Sequence, residues 1–204
     1  MNQNKTNGLP VVEEFYTLQG EGYYTGTAAY FVRLAGCDVG CHWCDSKPSW
    51  ETFPHQWIDT TQLALRIIAN PSKHLVLTGG EPFLHDLTLF SDLIQKHGII
   101  THIETSGTSK YSGKWDWICL SPKPWQPPLE EFYDRAHELK VIIQTPDDFK
   151  WAEACALKSN TNCHLYLQPE WSVFNKIVPF IVEYIKANPK WRISIQSHKF
   201  MKIP

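Results

Sequence analysis

Short apolar runs, each followed by a polar turn and often by a helical stretch, recur along this chain, and that alternation restricts its fold more than any other feature. Residues 11–18, 29–35, 74–78, 99–104, 115–120, 139–144, 164–167 and 191–196 read as strands. Residues 60–69, 86–97, 130–137, 147–157 and 173–187 read as helices, with Asp59 or Thr60 capping the first and Asp147 the fourth. The unit of strand, polar turn and helix returns about six times, which predicts an α/β fold with a parallel sheet and helices packed outside it. Polar residues gather just after the strands: Gln19, three cysteines, Gly79 and Gly80, Ser106, Ser121 to Lys123, and Gln168. In a barrel-like sheet those strand ends share one face, so scattered turns would converge there. A full eight-fold barrel takes about 250 residues. The 204 residues here therefore predict an incomplete, TIM-like β/α barrel with about six strands.

The second of those turns holds Cys37, Cys41 and Cys44 at C-x3-C-x2-C spacing. Three thiolates can hold three irons of a 4Fe-4S cluster and leave the fourth iron open to a small molecule, whereas a closed cluster or a structural zinc takes four ligands. Two plainer readings stand beside this one. In the first, His42 completes a zinc site, although no second cysteine pair is present and His42 lies between two of the cysteines. In the second, the triplet is a chance grouping of small buried thiols. Cys119, Cys155 and Cys163 lie in apolar or helical stretches and read as packing residues.

Other positions carry weaker signals. Gly79 and Gly80 end a strand with exposed backbone groups that a ligand's polar atoms can meet. Arg33 sits within an apolar run and needs an anionic partner, either a protein carboxylate or a substrate carboxylate. Gln19 and Glu21 fit either a decorated turn or the mouth of a pocket. His74, His102 and His164 lie in or beside strands and read as structural, and most of the nine tryptophans read as core. His198 and Lys199 form a polar pair near the end of the sequence, suited to the surface or to a substrate.

Composition narrows the class. Hydrophobic residues make up 43% and charged residues 20%, as in an ordinary globular protein. A net charge of −2 provides no field to gather nucleic acid, and no apolar run reaches the length of a membrane span. Residues 1–7 are polar and lack the apolar core of a secretory signal. Cysteines in such a chain are expected as ligands or buried thiols in the cytoplasm rather than as disulfides.

The cysteine triplet after a strand, with Trp43 before its last cysteine and Gly79-Gly80-Glu81-Pro82 about 35 residues on, resembles the radical S-adenosylmethionine superfamily. Within it, Leu18-Gln19-Gly20-Glu21-Gly22, Cys44-Asp45-Ser46, Ser121-Pro122-Lys123, Gln168-Pro169 and Pro204 are similar to the 7-carboxy-7-deazaguanine synthase family, over nearly the whole chain. The resemblance implies a single radical S-adenosylmethionine domain over residues 1–204, a shortened barrel and a homodimer. It implies a lyase of queuosine biosynthesis that converts 6-carboxy-5,6,7,8-tetrahydropterin to 7-carboxy-7-deazaguanine and releases ammonia. Cys37, Cys41 and Cys44 would bind the 4Fe-4S cluster, and Ser46, where the family more often has threonine, would bind Mg2+. Gly80, Ser121, Pro122, Lys123, Gln168, Pro169, Glu170 and Trp171 would hold S-adenosylmethionine. Leu18, Gln19, Gly20, Arg33, Thr78 and Pro204 would line the substrate pocket. An external electron donor such as a flavodoxin would reduce the cluster. A glycyl-radical activase and a non-catalytic metal-binding module are the competing readings; neither accounts for Leu18-Gln19-Gly20 or Pro204.

Overall fold

The computed structural model describes residues 7–204, so the polar opening stretch lies, up to residue 6, outside the described residues. The chain begins with β1 (Gly8–Leu18) and β2 (Ala28–Leu34), an antiparallel pair. β3 (Gln56–Asp59) returns to the other edge of β1. From there helices and strands largely alternate: α1 (Thr60–Ala69), β4 (His74–Gly79), α2 (Thr88–Gln95), β5 (Ile100–Thr105), β6 (Trp117–Leu120), α3 (Glu131–Arg135), β7 (Glu138–Ile143), α4 (Asp148–Lys158), β8 (His164–Pro169), α5 (Phe174–Ala187), β9 (Trp191–Ile193) and α6 (Ser197–Met201). All nine strands join one sheet in the order β3-β1-β2-β4-β5-β6-β7-β8-β9, parallel from β2 onward. Its edge strands β3 and β9 do not pair with each other, so the sheet is open.

The count corrects the expectation of about six strands. β1 and β2 are joined without a helix, so a pattern that counts strand-helix units passes over one of them. β3 buries only Ile58 among its four residues and therefore leaves little hydrophobic signal. The end of the sheet differs as well. The strand expected over 191–196 stops at Ile193, because Ser194 and Gln196 turn inward to bond other segments, and Ser197 opens α6, a stretch to which the sequence reading assigned no element.

Local chemistry accounts for the elements that matter most. Asp59 accepts from the amides of Thr61 and Gln62 at 3.0 and 3.1 Å and starts α1 as expected. Asp147 does not cap α4; Asp148 accepts from the Gln144 and Thr145 amides instead and pins the turn before the helix. β4 is buried over its first four residues, as a strand covered on both faces must be. Leu75 and Leu77 point toward the helices and join Leu63, Ile67, Phe90, Ile94, Ile103, Leu120 and Phe132 in the core. Alternate residues point to the opposite face. That face is left to His74 and Thr78 on β4, His102 and Glu104 on β5, Glu138 and Lys140 on β7, and Gln168 on β8.

At the N-terminal ends of the strands this second face is sealed. The β1–β2 loop lays Tyr23 and Tyr24 across it, with Tyr24 edge-on to His74 at 4.5 Å and to Trp117 at 4.9 Å. Tyr23 packs 4.7 Å from both Trp117 and His164, and Glu138 accepts from the Tyr23 amide and the Trp117 indole. His74, His102 and His164 are thus packing groups, as expected. At the C-terminal ends the same face stays open.

Candidate active site

The open end encloses a cavity of about 650 Å3 that draws on the turns after β1, β2, β4, β5, β6 and β8, on β7 and on the tail. After β2 the chain winds through residues 37–46. Its shape is fixed by bonds from Gly36 N to Ser49 O, Cys37 N to Trp50 O and Cys44 N to Cys41 O, at 2.8, 3.0 and 3.0 Å. The segment after β6 braces it from the side, the Trp125 indole donating to Val39 O and Gln126 Nε2 to Asp38. Cys37, Cys41 and Cys44 are free thiols on the cavity wall. Burial raises the Cys37 thiol above its ordinary value against the pull of the Val39 and Gly40 amides, and pushes Cys41 up to about 11. Metal binding here must displace protons. Amides directed at sulfur are what a thiolate ligand uses, so the three residues suit an iron–sulfur cluster. Among the described residues no three His, Cys, Asp or Glu side chains converge to hold a metal ion in this structure, although all three thiols line the cavity.

β4 ends against this loop. Gly80 N donates to Leu34 O at 3.0 Å and Glu81 N to Gly36 O at 2.7 Å. A Cβ on Gly80 would overlap the Gly36 carbonyl and the Cys37 side chain, so only glycine allows the approach. The buried Glu81 carboxylate accepts from Thr105 Oγ1, Ser106 N, Ser106 Oγ and Phe83 N and locks the next turn to this one. Ser121 and Lys123 follow β6. Lys123 is buried, donates to the Ser121 carbonyl and hydroxyl, and stands 5.7 Å above the Trp43 ring. Burial lowers its pKa against the attraction of Cys41 and Glu81. Gln168, Pro169, Glu170 and Trp171 continue the wall after β8, with Glu170 accepting from the Ser172 amide at 3.0 Å. Pro122 is buried behind this wall and does not line it.

Across the cavity lie Leu18, Gln19, Gly20, Arg33, Thr78 and Pro204. Arg33 finds its carboxylate within the protein: Nε donates to Glu13 on the neighbouring strand at 2.6 Å, while Nη1 reaches Ser46 Oγ at 3.0 Å. A Cβ on Gly20 would overlap the His198 ring, so this glycine too permits a contact, here with the tail.

Several wall residues escaped the sequence reading. Lys140 Nζ donates to Glu21 at 2.6 Å and to Glu104 at 2.8 Å, with Gln19 reaching Glu104 at 3.5 Å. Burial works against the Lys140 charge, but its acidic neighbours outweigh burial and hold the ammonium well above the ordinary lysine range. Burial likewise works against the Glu104 carboxylate, and Lys140 and then His102 outweigh it and hold the carboxyl far below the usual range. A lysine within the apolar run of β7, and a carboxylate one residue before a polar turn, were the available signals. Asp45 and Gln196 also reach the cavity, as do His198 and Lys199, the polar pair already noted in the sequence.

Comparison with known proteins bears on this site. A family model described as a 4Fe-4S single cluster domain matches residues 18–116. A 7-carboxy-7-deazaguanine synthase from Flavobacterium psychrophilum is 51% identical over 199 residues, covering 96% of this chain and 93% of the relative. One from Synechocystis sp. is 42% identical, covering 97% and 95%. The crystal structure of QueE from Escherichia coli superposes with a TM-score of 0.85 at 33% identity, covering 94% of this chain and 95% of that one. Identity of this extent across nearly all of both partners places the sequence without ambiguity: the chain belongs to the 7-carboxy-7-deazaguanine synthase family.

Proposed function

We propose that this chain is a radical S-adenosylmethionine lyase that converts 6-carboxy-5,6,7,8-tetrahydropterin to 7-carboxy-7-deazaguanine and ammonia in queuosine biosynthesis. The supporting observation is that three thiols, the Gly79-Gly80 turn and Arg33 line one cavity. In this reading the open sheet is an incomplete TIM-like barrel and residues 1–204 form one radical S-adenosylmethionine domain. The protein acts in the cytoplasm as a homodimer, without nucleic acid or membrane partners, and takes electrons from a donor such as a flavodoxin. No helix among the described residues is long and apolar enough to cross a membrane.

A bound and reduced 4Fe-4S cluster with S-adenosylmethionine supplies a carbon-centred radical able to take hydrogen from a C–H bond. Everything else falls to the chain. Cys37, Cys41 and Cys44 would hold the cluster, and three ligands would leave it open to the cofactor. Gly80 would lie against the amino group, and Lys123 would set a cation beside the carboxylate. Ser121, Gln168, Pro169, Glu170 and Trp171 form the remaining cofactor wall, with Pro122 fixing the backbone from behind. Leu18, Gln19, Gly20, Thr78 and Pro204 enclose the pterin. Arg33, with Nε on Glu13 and Nη1 on Ser46, would turn its remaining donors to the substrate carboxylate. Ser46 suits Mg2+, which keeps most of its waters and takes few protein ligands. In this structure the Ser46 hydroxyl accepts from Arg33 Nη1 at 3.0 Å, so the serine would exchange that contact for the ion.

Anaerobic protein reconstituted with iron and sulfide, given reductant, S-adenosylmethionine and 6-carboxytetrahydropterin, should yield 7-carboxy-7-deazaguanine by mass spectrometry. Formation of 5′-deoxyadenosine alone would keep the cluster and overturn the substrate. Neither product, with zinc bound, would favour the non-catalytic module.

A further inference from the structure

The last eleven residues are held in place in an unusual manner. α6 buries none of its five residues, and its main apolar contact is the exposed Phe200 against Trp171 and Phe174 at 5.3 and 5.4 Å. What fixes it is polar. Ser197 donates its amide and its hydroxyl to Gly20 O, each at 2.9 Å. Gln196 Nε2 donates to Glu21 at 2.8 Å and to Asp45 at 3.1 Å, and Gln196 Oε1 accepts from Lys199. Lys199 Nζ closes the set at 2.9 Å from Asp45 Oδ2 and lies 4.9 Å over the Trp171 ring. Asp45 directly follows Cys44, and Lys199 directly follows His198.

We propose that Asp45 and Lys199 form a latch through which the cysteine loop positions the tail, so that filling the cluster site and closing the substrate side are coupled. The physical reason is the weakness of the tail's own packing. A segment that buries so little side-chain surface stays docked only while its polar partners hold still, and Asp45 belongs to a loop whose final shape is set by metal on three neighbouring thiols. Lys199 is here a positioning residue: it holds His198 and Pro204 over the cavity. This inference rests on the functional reading above for its cluster and its substrate.

Hydrogen exchange of the 194–204 peptide, compared between iron-free and anaerobically reconstituted protein, tests it. Reconstitution should slow exchange in the wild type by about fivefold, the worth of one such ion pair. Lys199→Met should lose that protection while keeping iron content and the brown chromophore, and Lys199→Arg should restore it. Lys199→Met should also raise KM for 6-carboxytetrahydropterin by about fivefold and leave KM for S-adenosylmethionine unmoved. Combining it with Asp45→Asn should add less than Asp45→Asn costs alone, because both changes break the Lys199–Asp45 pair and only the second also weakens the Gln196 contact. Equal tail exchange with and without the cluster, or additive effects of the two substitutions, would overturn the latch and leave the enzyme assignment standing. A wild type that assembles no cluster would overturn both.

Discussion

At the N-terminal ends of β4, β6 and β8 the sheet presents His74, Trp117 and His164, packed against Tyr23 and Tyr24, with Glu138 of β7 accepting from the Tyr23 amide and the Trp117 indole. Two to four residues further along β4, β7 and β8 it presents Thr78, Lys140 and Gln168 to an open cavity. Both sets point to the same face, so the direction of the side chains does not distinguish them. Depth does. The floor is closed by aromatic rings that need few hydrogen bonds, to the point that neither ring nitrogen of His74 has a partner among the described residues. The mouth is held open by charges that satisfy one another, with Lys140 between Glu21 and Glu104. A parallel sheet can thus carry a packed end and a reactive end on one surface, provided that the polar groups of the reactive end are paired.

The most severe way to break the contrast is to remove a ligand from the mouth. Cys41→Ala should abolish the brown chromophore and all cleavage of S-adenosylmethionine, read as absorbance, iron content and 5′-deoxyadenosine; retained turnover would exclude the cluster assignment. Next comes the charged wall. Lys140→Met leaves two carboxylates without their buried partner and should cost about 3–5 kcal/mol in denaturant unfolding. Adding Glu21→Gln and Glu104→Gln should recover much of that loss, since it removes the stranded charges.

The floor answers to pH instead. Burial, aided by His102, lowers the His74 pKa to about 4, against about 6.5 in the unfolded chain. Between those values the unfolded chain binds a proton that the folded one refuses, so stability rises with pH across the window. Acidification from pH 7 to pH 4 should remove on the order of 3 kcal/mol at this residue. His74→Leu should flatten that part of the profile in unfolding experiments at several pH values; an unchanged slope would mean that the ring titrates freely. The smallest effect belongs to the tail. Deleting Lys202, Ile203 and Pro204 should raise KM for the pterin by about tenfold, roughly 1.4 kcal/mol, with cofactor binding unaltered by calorimetry.

The chemistry at the mouth was legible where it is local in sequence. The cysteine loop and Gly80 announce themselves through spacing, and Arg33 through its presence in an apolar run. That Glu13 would satisfy Arg33 was not readable, because the pair forms across two strands, 20 residues apart in sequence. Lys140 and Glu104 meet at a separation of 36 and Lys140 and Glu21 at 119, and no periodicity connects them. The parallel sheet was legible from its alternation, whereas β3 and α6 were not. Both are short, and both are fixed by what they touch more than by hydrophobic pattern.

The two sets of ion pairs differ in one further respect. Lys140 is 4% exposed, out of reach of dissolved ions, while the Asp45 carboxylate that meets Lys199 is 56% exposed. Raising salt from about 0.1 M to 1 M shortens the screening distance from roughly 10 Å to 3 Å, and only the outer pair feels it. Potassium chloride should therefore loosen the segment proposed to cover the pterin and leave the buried wall behind it intact. On that proposal ionic strength would control substrate entry, which a titration of KM against salt would read directly.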